Sequence, residues 1–521
     1  MKRWIPSLVA LAAAACGGQP PLPPPPRAPP PIASWPAASA AAQPPRETPD
    51  APFRENPPPP GPAITWAPPH VDAWSMPNGV RVLLIEQHDL PIVSVRVVSN
   101  VGAGDLAGAR PGAVAFMGAM LEQGAGQRSA LALSDAFETM GAEHAAWCDW
   151  DACVARVKVL ASHLGPALDV LSDVVLRPTF PDAEVQRLRT RWLAALQQEK
   201  SSPPSMEQNA LAAALFGRAH PYGHGLRGDA ADVGKLTRAQ VEGTWRRAFA
   251  PRSTTVVVAG DVGAADLRGL LAARFASWKG GSAARAPVPP APRAAKGAAR
   301  VVLVDVPGAA QSQVYLAEEG APFATADRIP LGVMNLILGG MFSSRINLDL
   351  REAHAYTYGA HSRFSMRHGA GPFVAGGAIF AEHTADAIHE LEAQVARMRD
   401  EPVTPEELAD AKEHAKLALP ARFETIDDMT DVLEDLAVYG MPLDEYATRA
   451  ARIDAVTAAD VQRVARRWLR PDAMRIVVAG DRAKIDESLS AFGNVELRDA
   501  YGDPIRPGKG EHPAAARTMG R

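Results

Sequence analysis

A chain of 521 residues exceeds what a single hydrophobic core holds and calls for two or more domains. Its net charge is −4 with no strong basic block in either half, which argues against nucleic acid as a partner; the charged residues read as ordinary solvated surface.

Met1 to Cys16 has a positive start, a short apolar centre and small residues before the cysteine, the pattern of a secretory leader. The small-residue run ending at Cys16, followed by Gly17 and Gly18, is similar to a bacterial lipoprotein cleavage site, which would leave a lipid on Cys16. The alternative is a plain leader cut near Ala14. Residues 17–69 are dominated by proline and alanine, with proline runs at 23–26 and 57–60, and are expected to form an extended, semi-rigid spacer. After the leader, no stretch is read as long and apolar enough to span a bilayer.

Val80–Ile85 reads as a strand, and Ile92 to Gly104 is a β-rich run ending in a glycine turn. Arg110 to Gly124 reads as a short buried helix that opens after Pro111-Gly112 and stops at Gly124. Val114, Phe116, Met117, Met120 and Leu121 leave it little polar face. An amphipathic helix near Leu131 to Met140, a strand over Gly141–Ala146 and a helix over Pro166–Leu176 follow. His220 and His224 stand four apart near Asp229, but Pro221 and Gly223 break any helix that would align them, so no metal role is assigned. Glu143-His144 reads as an exposed strand pair.

Residues 236–261 return as 456–481 at a constant offset of 220 without a gap: Thr237 meets Thr457, Val241 meets Val461, Pro251 meets Pro471 and Asp261 meets Asp481. This is a domain-sized duplication. The divider is the Gly/Pro/Ala linker 280–297, which places one domain at 70–279 and the other at 298–490. β-Runs such as Val301–Asp305 alternate with helices such as Ala385–Met398, which predicts an α+β fold of two duplicated halves, each a sheet with packed helices. His361 and His368 flank a strand-and-turn segment without ligand spacing. The polar tail 491–521 is expected to be loose.

The passage from Ile92 to Ala146 resembles the N-terminal half-domain of the pitrilysin/insulinase family, the inverted-zincin metallopeptidases that include the mitochondrial processing peptidase. Active members carry His-x-x-Glu-His on the helix matching 110–124. The corresponding residues here are Ala115, Gly118 and Ala119. The family's third ligand is a glutamate on a later helix, and counting from Ala119 or back from Pro203 leads to Ala195. Glu199, one turn on, cannot hold zinc alone. The resemblance thus implies no catalytic residue and no cofactor on this chain.

Leu338-Gly-Gly-Met-Phe-Ser-Ser-Arg345 with Leu350-Arg-Glu352 and Tyr358 resembles the most recognisable motif of the family's second half. It implies that Arg351 and Tyr358 contact a bound peptide near the zinc, a role that the guanidinium fork and the phenolic hydroxyl suit. The local alternatives are Arg351 paired with Glu352 or Asp349, and Tyr358 as a half-buried strand residue. The family's Lys-Arg-Gly-Leu between the pair is replaced by Ala353-His-Ala-Tyr356. In the family, Trp147–Cys153 is a hairpin that would set Cys148 and Cys153 across a four-residue turn, either bonded in an oxidising compartment or as two buried thiols.

Such peptidases close like a clam-shell from two two-domain halves, and in several of them one half has lost its zinc. The resemblance implies that this chain is the zinc-free, substrate-binding half of a heterodimeric peptidase. The zinc would sit in a paralogous partner, and Cys16 would anchor the chain to the bacterial envelope facing the periplasm. The alternative is a stand-alone peptide-binding or scaffold lipoprotein. An enzyme with relocated chemistry finds no nucleophile–base set in the sequence.

Overall fold

The computed structural model describes residue 61 and residues 66–283, 285–292 and 298–505. Cys16, the leader and most of the spacer lie outside the described residues. The folded part begins before residue 70, because the Trp66 ring packs on Phe423 at 5.2 Å between centroids and ends the spacer early.

Runs of β-branched residues make two six-stranded sheets. The first half contributes β1 (Asp72–Ser75), β2 (Arg81–Glu86), β3 (Ile92–Ser99), a small pair β4 (Gly124–Ala125) and β5 (Arg128–Ser129), then β6 (Glu143–Cys148), β7 (Cys153–Leu160) and β8 (Thr254–Gly260). Its sheet runs β1-β2-β8-β3-β7-β6. The second half contributes β9 (Val301–Asp305), β10 (Gln311–Glu319), β11 (Thr357–Phe364), β12 (Pro372–Phe380), β13 (Arg475–Gly480) and β14 (Val495–Arg498), in the order β11-β12-β10-β13-β9-β14. Read from its β14 end, the second sheet repeats the first.

The edge strands are where the copies part. β1 precedes β2 and pairs with it antiparallel, whereas β14 arrives from the far end of the chain and pairs parallel with β9. The expectation of a loose tail from 491 is therefore corrected as far as residue 505: Val495–Arg498 fills the edge place, and Ile505 N–H returns to the Leu497 carbonyl at 2.9 Å.

The first-half helices are α1 (Ala113–Met120), α2 (Ala130–Thr139), α3 (Leu164–Leu176), α4 (Asp182–Glu199), α5 (Pro203–Phe216), α6 (Ala230–Gly234), α7 (Arg238–Ala248) and α8 (Ala264–Phe275). The second-half helices are α9 (Arg328–Asn335), the single turn α10 (Arg345–Asn347), α11 (Thr384–Asp400), α12 (Pro405–Leu417), α13 (Ile426–Val438), α14 (Glu445–Asp454), α15 (Ala458–Trp468) and α16 (Arg482–Leu489). α7 and α15 start 220 residues apart, and each opens with the same reciprocal cap, Thr237 with Gln240 and Thr457 with Asp460. A cap of this kind is worth about 1 kcal/mol.

α1 is shorter than the run 110–124 predicts. Gly112, at φ +80°, serves as its N-cap, and after Met120 the chain turns into β4 at Gly124. Arg328–Ala353 reaches the length and mean hydropathy (1.3) of a membrane span, against the expectation that no such run follows the leader. It is a broken core segment instead. Met341 is extended, the stretches Leu336–Gly340 and Leu348–Ala353 are π-helical, and half of the apolar window is buried.

Alternation along the central strands decides which helices cover which face. On β3, Val93, Val95 and Val97 join a core with Leu168 and Leu171 of α3 and Leu267 and Leu271 of α8. The opposite face, with Ser94, Arg96 and Val98, meets α13 of the second half. The second sheet mirrors this: Val314 and Leu316 of β10 face their own half, while Ala317 packs with Ala210 and Leu211 of α5. Each half thus lends one helix to the other's sheet, and the described residues from 66 onward belong to one compact unit.

Candidate functional site

α1 presents Ala115 and Gly118 buried and Ala119 half-buried, positions whose side chains carry no lone pair. The β6–β7 hairpin presses against this face. A Cβ placed on Gly118 would lie 2.5 Å from the Cys148 nitrogen and 2.7 Å from the Trp147 carbonyl carbon, so no side chain fits there without moving β6. The hairpin is stapled at its turn, where Cys148 and Cys153 form a disulfide.

Ala195 sits half-buried on α4, between Trp192 and Glu199 along the helix. The Trp192 ring meets Phe116 of α1 edge-on at 5.5 Å. Its Nε1 donates to the Arg227 carbonyl at 3.1 Å, and the Arg227 guanidinium stacks on the same ring at 5.4 Å. Glu199 pairs with Arg227 at 3.4 Å. Among the described residues, no group of three or more His, Cys, Asp or Glu is arranged to hold a metal ion. A catalytic zinc needs three side-chain donors and an open position, and the donor set of α1 and α4 does not fit it.

Tyr358 faces outward, and Arg351 is half-buried with 39% of its side chain exposed. Arg351 lies in the second π-helical stretch, with Nε 3.3 Å from Glu352 and its guanidinium 4.6 Å from the centre of the exposed Phe342 ring. An exposed pair of this kind contributes little to stability. Tyr358 is not half-buried; 79% of its surface is exposed. The β11–β12 register shifts between Thr357 and Ala360, and an irregularity of this kind re-aims side chains, here turning Tyr358 out over Phe380.

His220 and His144 hold structure. Tyr222 N–H donates to His220 Nδ1 at 2.9 Å while Nε2 meets the Pro289 carbonyl at 2.8 Å, which fixes a neutral ring in a loop. His144 is not exposed as expected: it stacks on Phe137 and lies 2.6 Å from Glu122, and only Glu143 beside it is open to solvent. His361 lies within β11 rather than beside it.

His368 is the group that sequence reasoning missed. Its Nδ1 lies 3.0 Å from Asp105 and its Nε2 3.2 Å from the Val438 carbonyl, so both nitrogens donate and the ring is an imidazolium. Asp151 accepts from the His368 backbone N–H at 3.0 Å and from the Tyr439 hydroxyl at 2.9 Å. Burial opposes the charge, but the hydrogen bond to Asp105 and the nearby Asp105 and Asp151 outweigh it and raise the His368 pKa. The cluster ties loops of the first half to the second.

The sequence profile of the insulinase family (peptidase family M16) matches residues 81–229, and that of the peptidase M16 inactive domain matches residues 235–414. This chain belongs to the pitrilysin/insulinase (M16) peptidase family. The M16 chain is similar to an uncharacterized zinc protease of Mycobacterium bovis, 29% identical over 318 residues that cover 60% of this chain and 71% of the relative. It is also similar to a probable mitochondrial-processing peptidase subunit beta of Arabidopsis thaliana, 24% identical over 431 residues, 79% of this chain and 78% of that one. Among solved structures, the peptidase M16 inactive domain from Pseudomonas fluorescens superposes with a TM-score of 0.72 at 27% identity, covering 79% of this chain and 98% of that one. A protease from Helicobacter pylori, at 18% identity, shares this fold with a TM-score of 0.72, covering 80% of this chain and 100% of that one.

Proposed function

We propose that this M16 chain is the zinc-free, substrate-binding subunit of a heterodimeric zinc peptidase in the bacterial envelope, held at a membrane by a lipid on Cys16 and facing the periplasm. One observation carries the reading: carbon and hydrogen stand at every metal-ligand position while Tyr358 is open to solvent and Arg351 keeps part of its side chain exposed. A chain without donors generates no metal-bound water of its own, so any zinc belongs to a paralogous partner. Arg351 offers a fork of donors to a peptide carbonyl, and the Tyr358 hydroxyl can donate to an oxygen that gains charge during cleavage by that partner.

The test is co-expression with a zinc-bearing M16 paralogue from the same genome. The two chains are expected to co-purify, and peptide cleavage to require both. Arg351→Ala is expected to lower kcat/KM without breaking the complex, and Tyr358→Phe to lower it about 100-fold, the size seen when a donor to a developing oxyanion is removed. Cys16→Ser should move the chain from the membrane to the soluble fraction. Failure to co-purify, with partner activity indifferent to this chain, would favour the stand-alone peptide-binding lipoprotein.

A further inference from the structure

Where α5 crosses onto the second sheet, a cavity of about 410 Å³ opens between that helix and strands β10, β11 and β12, within the size range of small-ligand sites. It lies within this one chain and owes nothing to Arg351, Tyr358 or a partner subunit. Glu207 of α5 lines it. The residue is only 3% exposed, and its Oε1 has no hydrogen-bond partner. An unpaired buried carboxylate is costly, and burial, opposed by Arg363, pushes this carboxyl up to about 8. At neutral pH it keeps its proton and is a donor.

Two guanidinium groups share the lining. Arg363 projects from β11, and Arg367 is held 4.6 Å from the ring centres of both Trp150 and Tyr222, a cation stacked on aromatic faces. Among the described residues, neither makes an ion pair within 4.0 Å. Burial pushes the His361 and His224 rings down, with Arg363 adding to the effect on His361, so these two wall residues are neutral. The wall is rich in donors and positive in charge. Leu211 and Phe216 supply an apolar flank.

We propose that this cavity binds the carboxylate of a short peptide, with Arg363 and Arg367 gripping it, Glu207 donating to it, and Leu211 and Phe216 taking the adjacent apolar side chain. Nothing in the family motifs marks these residues. The chemistry is that of a carboxylate receptor: forked cations around a neutral donor, sheltered from water that would compete.

Isothermal titration calorimetry of the full chain at neutral pH tests it with three probes: N-acetyl-Ala-Ala-Phe with a free carboxylate, the same peptide as its C-terminal amide, and N-acetyl-Ala-Asp-Phe amide. The free acid is expected to bind at least ~10-fold more tightly than its amide, about 1.4 kcal/mol. Binding of the Asp peptide like the free acid would assign the site to acidic side chains, and binding like the plain amide to chain ends. Arg363→Gln should weaken the free acid ~10-fold with an unchanged melting temperature. Glu207→Gln, which keeps a donor, should retain binding, while Glu207→Leu should lose it. Equal affinity for acid and amide, or no heat with any probe, overturns the proposal. So does unchanged affinity in Arg363→Gln, an arm that still decides if Glu207→Leu fails to fold.

Discussion

At Gly118, the loss of the glutamate that would activate water and the packing of the hairpin are the same event. With no Cβ on that residue, the β6 backbone comes close to α1, and the space a glutamate would need is filled. Gly118→Ala is expected to destabilise the protein by about 1–3 kcal/mol, read from the denaturation midpoint, because a close-packed contact must open. Restoring Ala115→His, Gly118→Glu, Ala119→His and Ala195→Glu together should yield no stoichiometric zinc by elemental analysis, since β6 remains in the way. His368 offers a second residue-scale test. Its folded pKa lies above the ordinary value of 6.5, so its contribution is full below pH 6.5 and is lost as pH rises through the folded value. His368→Gln should cost about 3 kcal/mol at pH 6, with a smaller difference from the parent protein at pH 9. The missing ligands were legible in the sequence because a helix motif is local. His368 was not, because Asp105 and Asp151 lie far away in the chain and meet it only through the fold.

At the scale of elements, α13 shows what a sequence repeat conveys and what it withholds. The 220-residue offset identified α7 with α15 and the strands β8 with β13, since caps, proline turns and β-runs recur in register. It carried no sign of which sheet a helix covers, so the crossing of α5 and α13 was invisible, as was the docking of the half-exposed edge strand β14. A charged clamp holds the crossing. Arg96, 4% exposed on β3, reaches Asp431 and Glu434 of α13, and its guanidinium also donates to the Asp427 carbonyl at 3.2 Å. Arg96→Ala leaves Glu434 half-sheltered without its partner and should cost about 3 kcal/mol, while Arg96→Met, which keeps the packed stem, should cost less. Urea titrations of both variants, with the slope unchanged, check this ordering.

For the whole molecule, the exchange of helices makes the linker 280–297 a poor place to cut. Expressed separately, residues 66–283 would carry α5 with no sheet beneath it, and residues 298–505 would carry α13 in the same condition. Each fragment is expected to lack a near-ultraviolet circular dichroism signal alone, and the pair to regain it when co-expressed and to elute as one complex. Two independently folded, soluble halves would contradict the swapped arrangement. The α+β class and the duplication were readable from periodicity and self-comparison; the fusion of the two halves into one unit was not, because it rests on apolar faces that only meet in space.

The inner face of the first sheet, with Leu83, Ile85, Val98 and Val257, belongs to the same apolar cluster as Leu433 and Leu436 of α13. A ribosome finishes that sheet long before it reaches Ile426, so the nascent chain must pass through an interval with a greasy surface laid bare. Guarding that surface until the distant segment emerges is a demand on cellular chaperones that the finished, globular protein no longer reveals.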